Sequence, residues 1–164
     1  MFKRDSDTEY LLGSKQPNTL PTKPFDSLVC EFLEIFSKKL NLMKNIKKHP
    51  DLKTLSFWCR KGNIYNLKKK YFSEETRMGL GMIFHITPSN IPTNFAYSLI
   101  FGLLTGNSNI VKVPSKKFDE IDIICSVINL IFKNKKFKKI KDRILIVRYK
   151  NNDSFTREIS LKCD

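Results

Sequence analysis

The chain has no hydrophobic run long enough to cross a membrane. Its longest apolar stretch, Ile91 to Leu104, is broken by Pro, Thr, Asn, Ser and Gly. That is too short and too polar for a span of about 20 residues. The opening residues, MFKRDSDTEY, carry no apolar segment of the secretory type. The four cysteines, Cys30, Cys59, Cys125 and Cys163, include no C-x-x-C pair, and neither His49 nor His85 lies near a ligand set. No zinc or other metal site is expected. With no secretion signal and scattered cysteines, the cytoplasm is the expected compartment. No G-x-G-x-x-G follows a predicted strand, and there is no Walker A sequence. No internal repeat is visible.

What is present describes a folded protein. At 164 residues, with 41% hydrophobic content and 13 Phe, the chain suffices for one domain with a true core. Acid is scarce: 16 Asp and Glu stand against 30 Lys and Arg, a net charge of +14. Such a charge is a signal for nucleic acid. Most of the excess is lysine, however, and it comes with abundant Asn, Ile and Phe, the combination that AT-rich codons produce. Lys68-Lys69-Lys70 and Lys133 to Lys141 are the candidate patches, and solvated faces and loops are the preferred reading for both. Cys30 and Cys125 lie among apolar residues at helical spacing and read as small buried hydrophobes.

Three regions are expected. Residues 1–24 form a polar arm with Pro17, Pro21 and Pro24. Residues 25–78 are helical. Asp26 offers an N-cap to a helix carrying Leu28, Val29, Phe32, Leu33, Phe36 and Leu40 on one face. A second helix follows His49-Pro50-Asp51, and Gly62 is the expected break before Ile64 and Leu67. Residues 79–164 alternate: strand Met82–Ile86, helix Thr93–Leu104, strand Asn109–Val113, helix Phe118–Phe132, a lysine-rich loop, strand Arg143–Arg148 and a short helix Asp153–Ser160. Gly106-Asn107 is a helix stop. Alternation of this kind predicts an α/β fold with a parallel sheet.

Ligands of such sheets sit at the carboxyl ends of the strands. Here those ends carry Thr87-Pro88-Ser89-Asn90 and Lys112-Val113-Pro114-Ser115-Lys116. Prolines stiffen the first turn, and an Asn90 amide there suits a developing oxyanion. Lys112 with Ser115 and Lys116 suits a ribose hydroxyl or a phosphate. Asn90 as a simple turn former between prolines fits the spacing equally well.

The segment FHITPSNIPTNFAYSLIFGLLTGNSNIVKVPSKKF, with SFWCRKGNIYNLKKKYF before it, resembles the N-terminal nucleotide-binding half of the aldehyde dehydrogenase superfamily. Within it, the chain is most similar to the LuxC-type acyl-CoA or acyl-protein reductases, over roughly residues 25 to 164. The resemblance implies a partial Rossmann-like parallel sheet preceded by N-terminal helices. It implies NADPH-dependent reduction of a fatty acyl thioester to an aldehyde through a cysteine acyl-enzyme. Carried over by position, Asn90 matches the oxyanion-hole asparagine and Lys112 the lysine that contacts the adenosine ribose. Thr87 and Pro88 fall in the cofactor-binding turn. Ser115, where a ribose-binding Glu is common in the superfamily, is followed by Lys116 and Lys117, which favours the 2′-phosphate of NADP.

The pattern departs from the family in one respect. The nucleophilic cysteine lies far downstream of that asparagine in the superfamily, and Cys163 does not occupy its place. The resemblance therefore implies an incomplete nucleotide-binding domain over residues 79–164, inactive alone, with an unpaired sheet edge. Such a chain is expected to be oligomeric or to dock with a separately encoded C-terminal half. The alternatives are a basic nucleic-acid-binding module and a noncatalytic partner module.

Overall fold

The computed structural model describes residues 8–44, 46–71, 76–150 and 153–164. In chain order these form strand β1 (Glu9–Gly13) and helices α1 (Ser27–Asn41), α2 (Pro50–Trp58) and α3 (Lys61–Tyr71). Strand β2 (Met82–Ile86), helix α4 (Asn94–Leu104), strand β3 (Ser108–Val113) and helix α5 (Asp119–Phe132) follow. A short helix α6 (Lys138–Lys141), strand β4 (Ile144–Arg148) and helix α7 (Asp153–Ser160) complete the order.

The fold is α/β, and the sheet is mixed. Its order is β1-β4-β3-β2. β2 pairs parallel with β3, Met82 opposite Ser108 and Ile86 opposite Lys112. β3 pairs parallel with β4, Asn109 opposite Ile144 and Val113 opposite Arg148. β1 runs antiparallel to β4, with Glu9 opposite Arg148. A wholly parallel sheet was the expectation; the difference is β1, which comes from residues read in the sequence as a polar arm. EYLLG is too short to show an alternating pattern, and its register shifts between Tyr10 and Leu12, as bulged edge strands do.

Alternation along β3 and β4 sorts the core onto two faces. Val111, Val113, Ile144 and Ile146 belong to the larger cluster, with Phe32, Leu33 and Phe36 of α1, Leu99 and Leu103 of α4, and Ile124 and Ile128 of α5. Each such burial stabilises by roughly 1.5–3 kcal/mol. Ile110, Leu145 and Val147 face the other way, onto Phe155 and Ile159 of α7. Helices α1, α4 and α5 thus cover one face, and α7 the other.

Local signals explain the elements. Asp26 Oδ1 accepts from Leu28 N–H at 2.8 Å and Val29 N–H at 3.4 Å, capping α1 as expected. The break expected at Gly62 falls earlier, at Cys59-Arg60, and Gly62 lies in the first turn of α3. Gly106 closes α4 with φ +87°. The lysine-rich segment is not a loop: it forms a 3-10 turn, Lys135–Phe137, and α6, because Phe137 and Ile140 anchor one side of it in the core.

Residues 14–25 run beneath the amino ends of the strands. Ser14 N–H donates to Ile144 O, Asn18 N–H to Asp142 O at 2.7 Å, and Phe25 N–H to Leu104 O at 2.6 Å. Arg143 fastens this segment, donating to Leu20 O and Gly106 O, each at 2.7 Å. The carboxyl ends of β2 and β3 carry no such strap among the described residues.

Candidate functional site

Two loops share the carboxyl end of the β2–β3 pair. Thr87 joins them: its N–H and its hydroxyl both donate to Lys112 O, at 3.2 and 2.9 Å. Pro88, Ser89 and Asn90 are exposed in the turn that follows. The Asn90 amide has no hydrogen-bond partner among the described residues. α4 begins just beyond, its cap residue Thr93 makes no side-chain capping bond, and its first turn holds no acid. Asn94 N–H donates to Ile91 O at 3.1 Å and Ala96 N–H to Thr93 O at 3.0 Å, and the positive end of the helix dipole at this turn favours negative charge.

The second loop is basic. Lys112 is half-buried and points to the α7 face, since it shares strand parity with Ile110. Its ammonium lies 4.9 Å from the centre of the Tyr149 ring. Burial holds it below the ordinary lysine value. Ser115, Lys116 and Lys117 are exposed, and Lys116 Nζ lies 5.2 Å over the Phe118 ring. α5, which follows, has Asp119, Glu120 and Asp122 in its first turn. Those carboxylates oppose an anion at that helix end. The structure thus brings Thr87 and Lys112 into contact and leaves Pro88, Asn90, Ser115 and Lys116 open to solvent at the same end of the sheet.

Three features near this end had little or no signal in the sequence. Arg148 closes β4 with its side chain only 6% exposed, donating to Glu9 at 2.8 Å and 3.6 Å from Asp122. Its Nε is buried without a hydrogen-bond partner among the described residues. Arg148 therefore clamps β1 and α5 to the sheet. His85 Nε2 lies 3.0 Å from Asn109 Oδ1, linking β2 to β3 beneath the loops. His49 Nδ1 lies 2.8 Å from Glu120 Oε1, joining α2 to α5. Burial works to raise the Glu120 carboxyl, but bonds from its own N–H and from His49 outweigh it and leave it low.

Burial disfavours the thiolate at each of the four cysteines. Burial pushes the Cys59 and Cys125 thiols up to about 12, and it raises Cys30 and Cys163 as well. A catalytic thiolate requires the opposite shift. No group of His, Cys, Asp or Glu among the described residues is arranged to hold a metal ion. No helix among them is long and apolar enough to cross a membrane. In the basic segments, Lys136 pairs with Glu31 at 2.5 Å and Lys138 with Asp142 at 2.8 Å, as solvated faces do.

Neither a curated protein nor a solved structure matches the chain. The family model for acyl-CoA reductase (LuxC) matches residues 65–164. That segment contains α4, α5, α7, the three parallel strands and both loops of the site, and on that match the chain belongs to the acyl-CoA reductase (LuxC) family.

Proposed function

We propose that this chain is the nucleotide-binding part of an NADPH-dependent reductase that converts fatty acyl thioesters to aldehydes. One observation carries this reading: the place where the helices change faces. α4 and α5 cover one side of β2, β3 and β4, and α7 covers the other. The chain leaves α7 toward the outer edge of β2, where Asp164 N–H donates to Met82 O at 2.9 Å. A switch of face beside the first parallel strand is the topology in which Rossmann-like sheets hold a ligand, outside the carboxyl ends of the strands. Those ends carry Thr87 to Asn90 and Lys112 to Lys116.

In this reading residues 79–164 are the nucleotide-binding unit and residues 25–78 its helical buttress. NADPH, when bound, supplies the hydride. Lys112 meets a ribose hydroxyl, and Ser115 with Lys116 accepts the 2′-phosphate. Thr87 and Pro88 shape the turn against the cofactor. The Asn90 amide, beside the uncapped start of α4, donates to the oxygen that gains charge as the thioester carbonyl is attacked. The attacking thiolate in this reading comes from outside these residues, since burial disfavours the thiolate at all four cysteines here. Met82 N–H and C=O both point off the sheet, onto Asp164; by period-two alternation Phe84 and Ile86 do the same. That edge suits a further strand.

The test is nucleotide binding by calorimetry. The chain should bind NADPH more tightly than NADH. Lys112→Ala should weaken NADPH at least 10-fold, and Lys116→Ala should narrow the preference over NADH. A chain shown by circular dichroism to be folded, with equal affinity in wild type and Lys112→Ala, would overturn the assignment.

A further inference from the structure

We infer that Tyr149 is a positioning residue for the nucleotide site, holding the Lys112 ammonium at the carboxyl end of β3 by the face of its ring. The inference rests on the nucleotide reading given above.

Lys112 and Tyr149 come from neighbouring strand ends, and their side chains meet on the α7 face of the sheet. Tyr149 follows β4 directly and is 2% exposed. α7 fixes its ring in two ways. Phe155 packs edge-on, with ring centres 5.1 Å apart and planes at 83°, and the Tyr149 hydroxyl shares a hydrogen bond with Thr156 Oγ1 at 2.9 Å. The ring therefore has one orientation, and the ammonium lies over it at 4.9 Å. A free lysine head samples many rotamers, each weakly. Here the stem is half-buried, and the cation has no carboxylate within ion-pair distance among the described residues. Desolvation alone accounts for its lowered value.

An ammonium removed from water without a counterion is costly unless something compensates. An aromatic face compensates in part and neutralises nothing. The full positive charge stays available to a ligand oxygen, in a fixed place. A carboxylate there would hold Lys112 equally still, but it would consume the charge. The ring thus allows a lysine that is both ordered and unpaired. It also makes α7 a support of the site, through Phe155 and Thr156.

The experiment compares Tyr149→Phe, Tyr149→Leu and Lys112→Ala for NADPH affinity, with thermal melting as the control for folding. Tyr149→Phe keeps the ring and should stay within about 2-fold of wild type. Tyr149→Leu keeps apolar bulk and loses the ring face, and should weaken NADPH by roughly 3- to 30-fold. In the wild type, NMR should place the Lys112 ε-methylene protons upfield of other lysines through the ring current, and Tyr149→Leu should abolish that shift. If Lys112→Ala weakens binding while a folded Tyr149→Leu binds like wild type, the positioning role fails and the nucleotide reading stands. If Lys112→Ala itself changes nothing, the nucleotide reading fails and this inference with it. Should Tyr149→Leu not fold, the wild-type spectrum decides: Lys112 ε-protons at ordinary positions overturn the inference, and shifted ones that persist in Tyr149→Phe support it.

Discussion

Gly102 sits on α4 where the helix meets the β2–β3 pair, and replacing it by alanine should cost about 1–5 kcal/mol. A Cβ built there falls on Asn109 Oδ1 and 2.7 Å from Asn109 Cγ. Asn109 cannot step aside freely. It is fully buried, its Oδ1 lies 3.0 Å from His85 Nε2, and its Nδ2 donates to Asn107 O at 2.9 Å. Overpacking of this kind costs about 1–3 kcal/mol. Displacing the amide breaks two hydrogen bonds and leaves buried partners unsatisfied, roughly 1–3 kcal/mol more. The alanine regains about 1 kcal/mol of helix propensity, which sets the net figure. For a chain of this size that lowers Tm by roughly 2–20 °C. Urea unfolding followed by circular dichroism measures it, with Gly62→Ala as the control: a Cβ at Gly62 meets nothing within 4 Å, so that variant should be neutral or slightly stabilised. The double variant Gly102→Ala/Asn109→Ala should lose less than the two single losses combined, because they share one overlap. A Gly102→Ala as harmless as Gly62→Ala would refute the packing of α4 on Asn109.

Two further outcomes are expected. With the Cys59 and Cys125 thiols raised to about 12 from an ordinary 9.0, their contribution is fully present below pH 9 and is lost as pH rises toward 12. Stability should fall by about 1.4 kcal/mol per pH unit for each thiol in that window, and Cys59→Ala or Cys125→Ala should flatten the slope of urea stability against pH; an unchanged slope counts against deep burial. Asn107→Ala removes acceptance from Leu80 N–H at 2.6 Å and Gly81 N–H at 3.2 Å, and a bond to Thr105 at 2.8 Å. It should cost about 2–4 kcal/mol and speed hydrogen exchange at the Leu80 and Gly81 amides, and unchanged exchange there would disprove the pinning of the turn before β2.

The elements that read clearly were those whose period is carried by many residues. α1, α4 and α5 repeat large apolar side chains at helical spacing, and IVKV and ILIV are β-branched runs flanked by turns, so the elements themselves and the parallel run of their strands followed. β1 was not legible because its pairing is decided by β4: Leu12 is buried against the sheet, but no five-residue segment announces a partner 130 residues away. The lysine-rich segment misled for a related reason. Phe137 and Ile140 are two apolar residues among six lysines, and two anchors are enough to order a turn of helix when a core lies ready to receive them. At the candidate site, residue type and position marked Lys112 and Asn90, whereas Tyr149 carried no mark. Its role depends on where α7 returns across the sheet, which is a tertiary fact.

Two lysine environments at opposite ends of the sheet differ in what they offer a ligand. Lys136 and Lys138 are solvent-facing and matched by Glu31 and Asp142; pairs of that kind contribute about 0–1 kcal/mol and are screened by salt. Lys112 is half-buried over an aromatic ring. Of these three, Lys112 alone has its field concentrated by a low-dielectric surround. The acidic first turn of α5 sharpens this further. Asp119, Glu120 and Asp122 repel phosphate from the helix end beside the loop, so in the proposed site its contacts would come from Lys112 and Lys116 on the strand side. An anion drawn there by net charge alone would have no reason to distinguish these lysines from the rest. A nucleotide held by Lys112 would lose its affinity with that one side chain.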